Sequence, residues 1–174
     1  MTTLVTVADV RRTVQTDIDD ADLQDLISDE EAEVVRRFGA HGDGTSSVTE
    51  TYPGDNQINL YLRRPAVSVS QITVADKGGG TPATLSASSY QLWGSQGRIE
   101  YLAGSWGDRI VNVTYVPIDD RSRRRRVIVE LVRLALEQTA MKAESVAGEY
   151  SYTAPESWEA ARASLYRRLS YMEV

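Results

Sequence analysis

The spacing of apolar residues divides the chain into helical ends and a strand-like middle. Val7, Val10 and Val14 recur on one helical face, and Thr6 with Asp9 has the spacing of a capping box with Asp in place of the usual Glu, which predicts a short helix over about 7–15. A second helix is predicted from Asp19 or Asp20. It turns Leu23, Leu26, Ile27, Val34 and Phe38 to a core and stops at Gly39, which follows Arg36 and Arg37.

After residues 40–47 the apolar period falls from 3.6 to 2 and stays there for about seventy residues. Val48, Glu50 and Tyr52 alternate with Ser47, Thr49 and Thr51. The turn Pro53-Gly54-Asp55-Asn56 follows, and Ile58, Leu60 and Leu62 then share one face, so this stretch predicts a hairpin. Pro65, after Arg63 and Arg64, confines that point to an edge or a strand start. In Val67, Val69, Ile72 and Val74 the apolar phase slips from odd to even, which predicts a bulge near Ser70 or Gln71. Gly78-Gly79-Gly80 is a predicted loop. Weaker strands are predicted at 83–85, 90–93, 98–102 and 109–116, with glycine-bearing turns at 94–97 and 104–107.

The stretch PIDDRSRRRRVIVELVRLALEQTAMK, 117–142, then predicts one long helix of roughly 36 Å. Its apolar positions, from Val127 to Met141, cover more than the single stripe of a surface helix, so it is expected to pack on two or more sides. One of Asp119 and Asp120 is the expected N-cap. The polar, Gly/Tyr-rich stretch ESVAGEYSYT interrupts the pattern, and Thr153, Pro155 and Glu156 predict the opening of a last helix with Trp158, Ala161, Leu165 and Leu169 as its stripe. The order is helix, helix, strands, helix, helix. This is an α+β fold: a helical core of about four helices with an antiparallel β region, 45–116, inserted between the second and third helices of a single domain, 1–174.

Composition narrows the function classes. With 41% hydrophobic and 25% charged residues the chain is expected to bury a real core in a soluble compartment. No run approaches the roughly 18 to 20 apolar residues of a membrane span, and MTTLVTVADVRR lacks the pattern of a signal peptide, so no membrane partner is expected. The absence of cysteine excludes disulfides, thiolate metal sites and a cysteine nucleophile. A net charge of −6 argues against a general nucleic-acid coat.

That charge is segregated. Acid concentrates between Asp17 and Glu33 and base in Arg121, Arg123, Arg124, Arg125 and Arg126, an asymmetry that can let copies meet head to tail. The arginines occupy the first turns of the long helix, where partial positive charge already resides and carboxylates are preferred. They outnumber Asp119 and Asp120, so another acceptor is implied. The plain alternative is that they are solvated or paired with those two aspartates, since exposed ion pairs contribute only about 0–1 kcal/mol.

Candidate catalytic chemistry is sparse. His41 is the only histidine and stands in a glycine-rich loop without the partners of a metal site or a Ser/His/Asp arrangement, so it is read as a solvated loop residue. The glycines at 42–44 and 78–80 match no phosphate-binding pattern. Asp17, Asp19, Asp20, Asp22 and Asp25 depart from an EF-hand loop at Ala21 and lack its Gly and Glu, and are read as acids favouring a helix N-terminus. Glu30 with Glu31, or Asp119 with Asp120, are adjacent on a helix and point apart. No cofactor, no metal and no enzymatic activity are expected. Trp93, Trp106, Tyr101 and Tyr115 could form a base-stacking platform but, without interleaved Lys or Arg, are read as core or cross-strand pairs.

Several segments together resemble a known family. TVADVRRTV with DADLQDLISDEEAEVVRRFG, then LRRPAVSVSQITV, then GRIEYLAGSWGDRIVNVTY before the long helix and ESVAGEYSYT before the last are similar, in order and spacing, to the head-to-tail connector (adaptor) proteins of long-tailed bacteriophages. Those proteins form a ring under the portal vertex. Similar proteins often carry a Gly-containing turn where this chain has Val116-Pro117-Ile118. The resemblance implies a virion assembly protein of the neck between capsid and tail, made in the host cytoplasm. It implies a homo-oligomeric ring, dodecameric by resemblance, with the portal and a tail or further neck protein as partners. DNA would pass through the channel without sequence-specific binding. On this reading the candidate subunit or portal interface comprises Arg121, Arg123, Arg124, Arg125, Arg126, Tyr150 and Tyr152. The alternative is a DNA-binding packaging accessory protein using the same arginine cluster.

Overall fold

The computed structural model describes residues 3–144 and 157–170, with the helix backbone alone over 140–144. It divides into two compact units, one formed by Met1–His41 with Arg121–Val174 and the other by Gly42–Asp120. The order of elements is α1 (Val7–Arg11), α2 (Asp20–Phe38), seven strands, α3 (Arg121–Glu144) and α4 (Trp158–Arg167). The α+β class and the insertion between the second and third helices are as expected.

In the helical unit the capping box of α1 is formed: the Thr6 hydroxyl accepts from the Asp9 N–H while the Asp9 carboxylate accepts from the Thr6 N–H. The helix ends at Arg11 rather than near 15. Thr13 turns its hydroxyl onto the Val10 carbonyl (3.0 Å), and the Arg11 guanidinium donates to the Thr16 and Ile18 carbonyls (2.9 and 2.7 Å), which together hold the chain in a non-helical bend. In α2, Asp19 is the N-cap, accepting from the Ala21 and Asp22 N–H groups, and Gly39 ends the helix at φ 74°, a conformation costly to any residue with a Cβ.

The core comprises Val5, Val10, Leu23, Ile27, Val34, Val127, Ile128, Leu131, Val132, Tyr166 and Leu169. Four of these lie on α3, which packs against α1, α2 and α4, so the long helix is covered on several sides as its pattern required. The predicted Thr153 capping box lies outside the described residues. The described α4 is capped by Ser157, whose hydroxyl accepts from the Ala160 N–H.

The strand unit holds two antiparallel sheets. Strands β1 (Val48–Pro53), β3 (Ala66–Asp76), β4 (Ala83–Thr84) and β7 (Arg109–Pro117) form one in the order β1-β7-β3-β4, and β2 (Asn59–Tyr61), β5 (Tyr90–Trp93) and β6 (Arg98–Tyr101) form the other in the order β2-β6-β5. The expected hairpin of β1 with the following strand is not formed. β1 pairs with β7, from Val48 opposite Tyr115 to Pro53 opposite Ile110, and β2 pairs with β6. The tight turn is present, with Asp55 and Asn56 both at positive φ, but Gly54 and Asn56 donate to the carbonyls of Arg109 and Gly107. The turn therefore prolongs the β1–β7 ladder and sends the chain into the second sheet. Period-2 alternation specifies which face is buried, not which strand is the partner.

The bulge is where the phase slip placed it. Val69 faces Tyr115 and Gln71 faces Thr114, leaving Ser70 as the extra residue, its hydroxyl on the Thr114 carbonyl. A second irregularity between Ala66 and Ser68 expels Val67, which is 58% exposed, so it does not share the inward face expected of it. At Val116-Pro117, the point where this chain departs from the family pattern, β7 continues to Pro117, opposite Ala66.

The two ends of this unit are joined to each other. The Asp120 carboxylate accepts from the Gly42 N–H (2.8 Å) and the Asp120 N–H donates to the Gly42 carbonyl (3.3 Å). A Cβ on Gly42 would meet the Ile118 carbonyl oxygen at 2.2 Å, so only glycine fits this closure.

Candidate functional site

The arginine head of α3 separates into residues with different tasks. At 100° per residue, Arg124 falls on the face of Val127, Ile128 and Leu131, three, four and seven positions on. It is accordingly buried, with 2% of its surface exposed, and its guanidinium donates to the Gly39 (2.6 Å) and Phe38 (3.3 Å) carbonyls at the end of α2. Those carbonyls carry the negative end of the α2 dipole and have no intrahelical donors. Of the five candidate interface arginines, Arg124 is thus committed to its own chain, a role its place in the apolar period already announced.

The others are exposed. Arg123 donates to the Ser170 carbonyl (3.4 Å) and Arg125 to the Leu4 carbonyl (3.1 Å), so each also holds a segment distant in sequence against α3. Arg121 and Arg126 lie on the surface. Tyr150 and Tyr152 lie outside the described residues.

Arg125 and Arg126 meet two arginines that sequence reasoning did not single out. Between α1 and the first turns of α3 is a groove of about 410 Å³ whose lining includes Arg12, Arg125, Arg126 and Arg133 over Val14 and Val129. Arg126 and Arg133 are seven residues apart on one helix face, which is the signal that could have found the second of them. Asp9 and Glu130 also line it. Asp9 is engaged by Thr6, whose backbone and side-chain hydrogen bonds, with Arg125 and Arg12 nearby, hold its carboxyl below the usual range. Glu130 pairs with Arg168. Arg12 also pairs with Asp9 (3.1 Å) and Arg133 with Glu137 (3.4 Å), while Arg125 donates to the Leu4 carbonyl, so the groove's cationic excess centres on Arg126.

The carboxylates weighed as an acid/base pair have structural partners. Glu31 accepts from the Leu4 and Val5 N–H groups (2.7 Å each). Glu30 is buried and receives a two-pronged hydrogen bond from Arg162 (2.8 and 2.7 Å), which also donates to the Tyr166 hydroxyl. This bond raises the Arg162 pKa. His41 is half-buried rather than solvated and lines a 260 Å³ cavity with Glu31 and Arg124. No group of three or more metal-ligating side chains occurs among the described residues.

In the strand unit, Arg64 is buried beside Glu50 (3.6 Å), and Glu50 accepts from the hydroxyls of Tyr52 and Tyr115. Burial, reinforced by the Glu50 charge, pushes the Tyr115 phenol up to about 12. Trp106 and Tyr115 are buried and Tyr101 stacks on Trp106, as core aromatics should. Trp93 departs from that reading: it is 44% exposed, with the Arg98 guanidinium 4.6 Å over its ring. The register puts Tyr61, Arg98 and Trp93 side by side across three strands, on the face opposite Leu60, Ile99 and Leu92.

This geometry has a counterpart among known structures. No family model matches the chain, and no curated protein matches it. A solved chain from the neck of an empty GTA (gene transfer agent) particle, computed with C6 symmetry, covers 99% of this chain and 92% of its own at a TM-score of 0.54 and 17% identity. The fold is similar to that of a particle-neck chain. At this identity the likeness is one of fold, and it extends over both units. No described helix is long and apolar enough to cross a membrane.

Proposed function

We propose that this protein is a structural component of the neck of a phage-like particle, a head-to-tail connector that forms an oligomeric ring, docks on the portal and links the DNA-filled capsid to the tail. The observation that carries this reading is the near-complete overlap of fold with the GTA neck chain. Particle symmetry supports a ring of six or twelve copies, the latter being the number implied by the family resemblance. The side chains support a non-catalytic role: Glu30, Glu31, Glu50 and Arg124 are each engaged in holding elements together. A chain of net charge −6 suits a channel that DNA traverses without being held.

The test is binding of the purified protein to portal-bearing capsids. Ring-shaped density at the portal vertex, absent without the protein, is expected; failure to associate with portal or capsid would reject the connector role.

A second reading, a DNA-binding packaging accessory, is favoured by the four-arginine groove alone. It requires duplex binding that weakens steeply as salt rises. No binding at low salt would sink it.

A further inference from the structure

The helical unit carries two surfaces of opposite charge that nothing in the fold brings together. One is the groove lined by Arg12, Arg125, Arg126 and Arg133. The other is the outer face of α2, where Asp22, Asp25 and Asp29 are exposed. Spacings of three and four residues set these carboxylates in one stripe, and among the described residues none of them makes an ion pair. Their neighbours on α2 differ: Asp20 pairs with Arg11, and Glu33 with Arg36 and Arg37. Like charges at these spacings repel along the stripe, and in the groove Arg126 stands among three further arginines, so joining the two surfaces relieves repulsion on each.

We propose that the acidic stripe of one copy docks in the arginine groove of a second copy. The occupant is fixed by charge complementarity: the groove needs a linear carboxylate surface with an excess of acid, and the chain itself displays one. Because stripe and groove are different patches, the contact is heterologous. Each copy offers one of each, and repetition propagates head to tail until rotation closes a ring. Closure into the neck's ring rests on the connector reading; the pairing rests on the two surfaces. Val14 and Val129 in the groove supply apolar contact beneath the charges, and the arginines provide planar forks suited to carboxylates.

The test is a charge swap. A groove variant, Arg126→Glu with Arg133→Glu, and a stripe variant, Asp25→Arg with Asp29→Arg, are made in the full chain, and each is first shown by thermal melting to be folded. Sedimentation at low salt is then recorded for wild type, each variant and a 1:1 mixture. Each variant alone is expected to lose self-association by about tenfold or more, from like-charge juxtaposition, and the mixture to regain it. Variants that associate like wild type, a mixture that stays monomeric, or a wild-type chain monomeric at every concentration each overturn the proposal. Rings that persist in both variants reject this pairing and leave the connector reading standing. Loss of portal binding with the charge-swap result intact rejects only the connector reading.

Discussion

The two units hold themselves together and face outward in opposite ways. In the helical unit, segments far apart in sequence are tied by charged side chains: Arg124 to the end of α2, Arg125 to Leu4, Arg123 to Ser170, Arg162 to Glu30. The strand unit relies on backbone ladders, with one polar cluster around Glu50. Their surfaces differ as sharply. Among the described residues every large exposed hydrophobic, Ile58, Tyr61, Val67, Trp93, Leu102 and Ile110, lies in the strand unit. The helical unit therefore offers partners charge, sensitive to salt, and the strand unit offers apolar and aromatic area, which salt does not screen.

The strongest way to break this contrast is to remove the internal role of arginine. Arg124→Met keeps the stem and deletes the guanidinium, orphaning the Phe38 and Gly39 carbonyls. Two charge-assisted bonds are lost, so urea unfolding should report a loss of about 3 kcal/mol. A loss within experimental error would mean that Arg124 is a surface residue after all. In the strand unit, Gly42→Ala drives a Cβ into the Ile118 carbonyl and should cost about 2 kcal/mol, read in the same way. Glu50→Gln, which retains an acceptor for the two tyrosines but loses its charge beside Arg64, should cost about 1 kcal/mol. A neutral result would show that the cluster is better solvated than its burial implies.

The period of the chain revealed much of this and concealed a definable part. The helices, the Ser70 bulge and the strand segments followed from spacing, because spacing reports which side chains are buried. Strand partnership did not: β1 and β2 carry the alternation of a hairpin, yet each pairs elsewhere, since β7 offers β1 a longer complementary strand. Charge was misread where it was counted instead of placed. Five arginines in sequence looked like one surface, but helix geometry buries Arg124 and sends Arg126 toward Arg133. Arg98 escaped notice as a partner for Trp93 because the two are neighbours only across strands.

A smaller effect separates the units by pH. Arg36 and Arg37 hold the Glu33 carboxyl down to about 2, so its contribution is present at neutral pH and fades as pH falls from about 4.5 toward 2. Tyr115 shifts upward, from 10.0 to about 12, so its contribution is complete below pH 10 and is lost as pH rises through 12. Burial and Glu50 also push the Tyr52 phenol up, so alkaline titration followed by tyrosinate absorbance should show two late phenols that Glu50→Gln brings earlier. An unchanged late phase would detach Tyr115 from Glu50.

On the proposed function and the proposed stripe-to-groove pairing, copies of this chain join through their charged helical units into a ring in a particle neck. Electron microscopy of portal-bearing, DNA-filled capsids mixed with the protein tests it most directly. A closed ring of six or twelve copies at the portal vertex, with helical units in contact through Asp22–Asp29 and Arg126–Arg133, is the predicted result. A vertex left bare, or a ring joined through the Tyr61–Trp93 face of the strand unit, would contradict it.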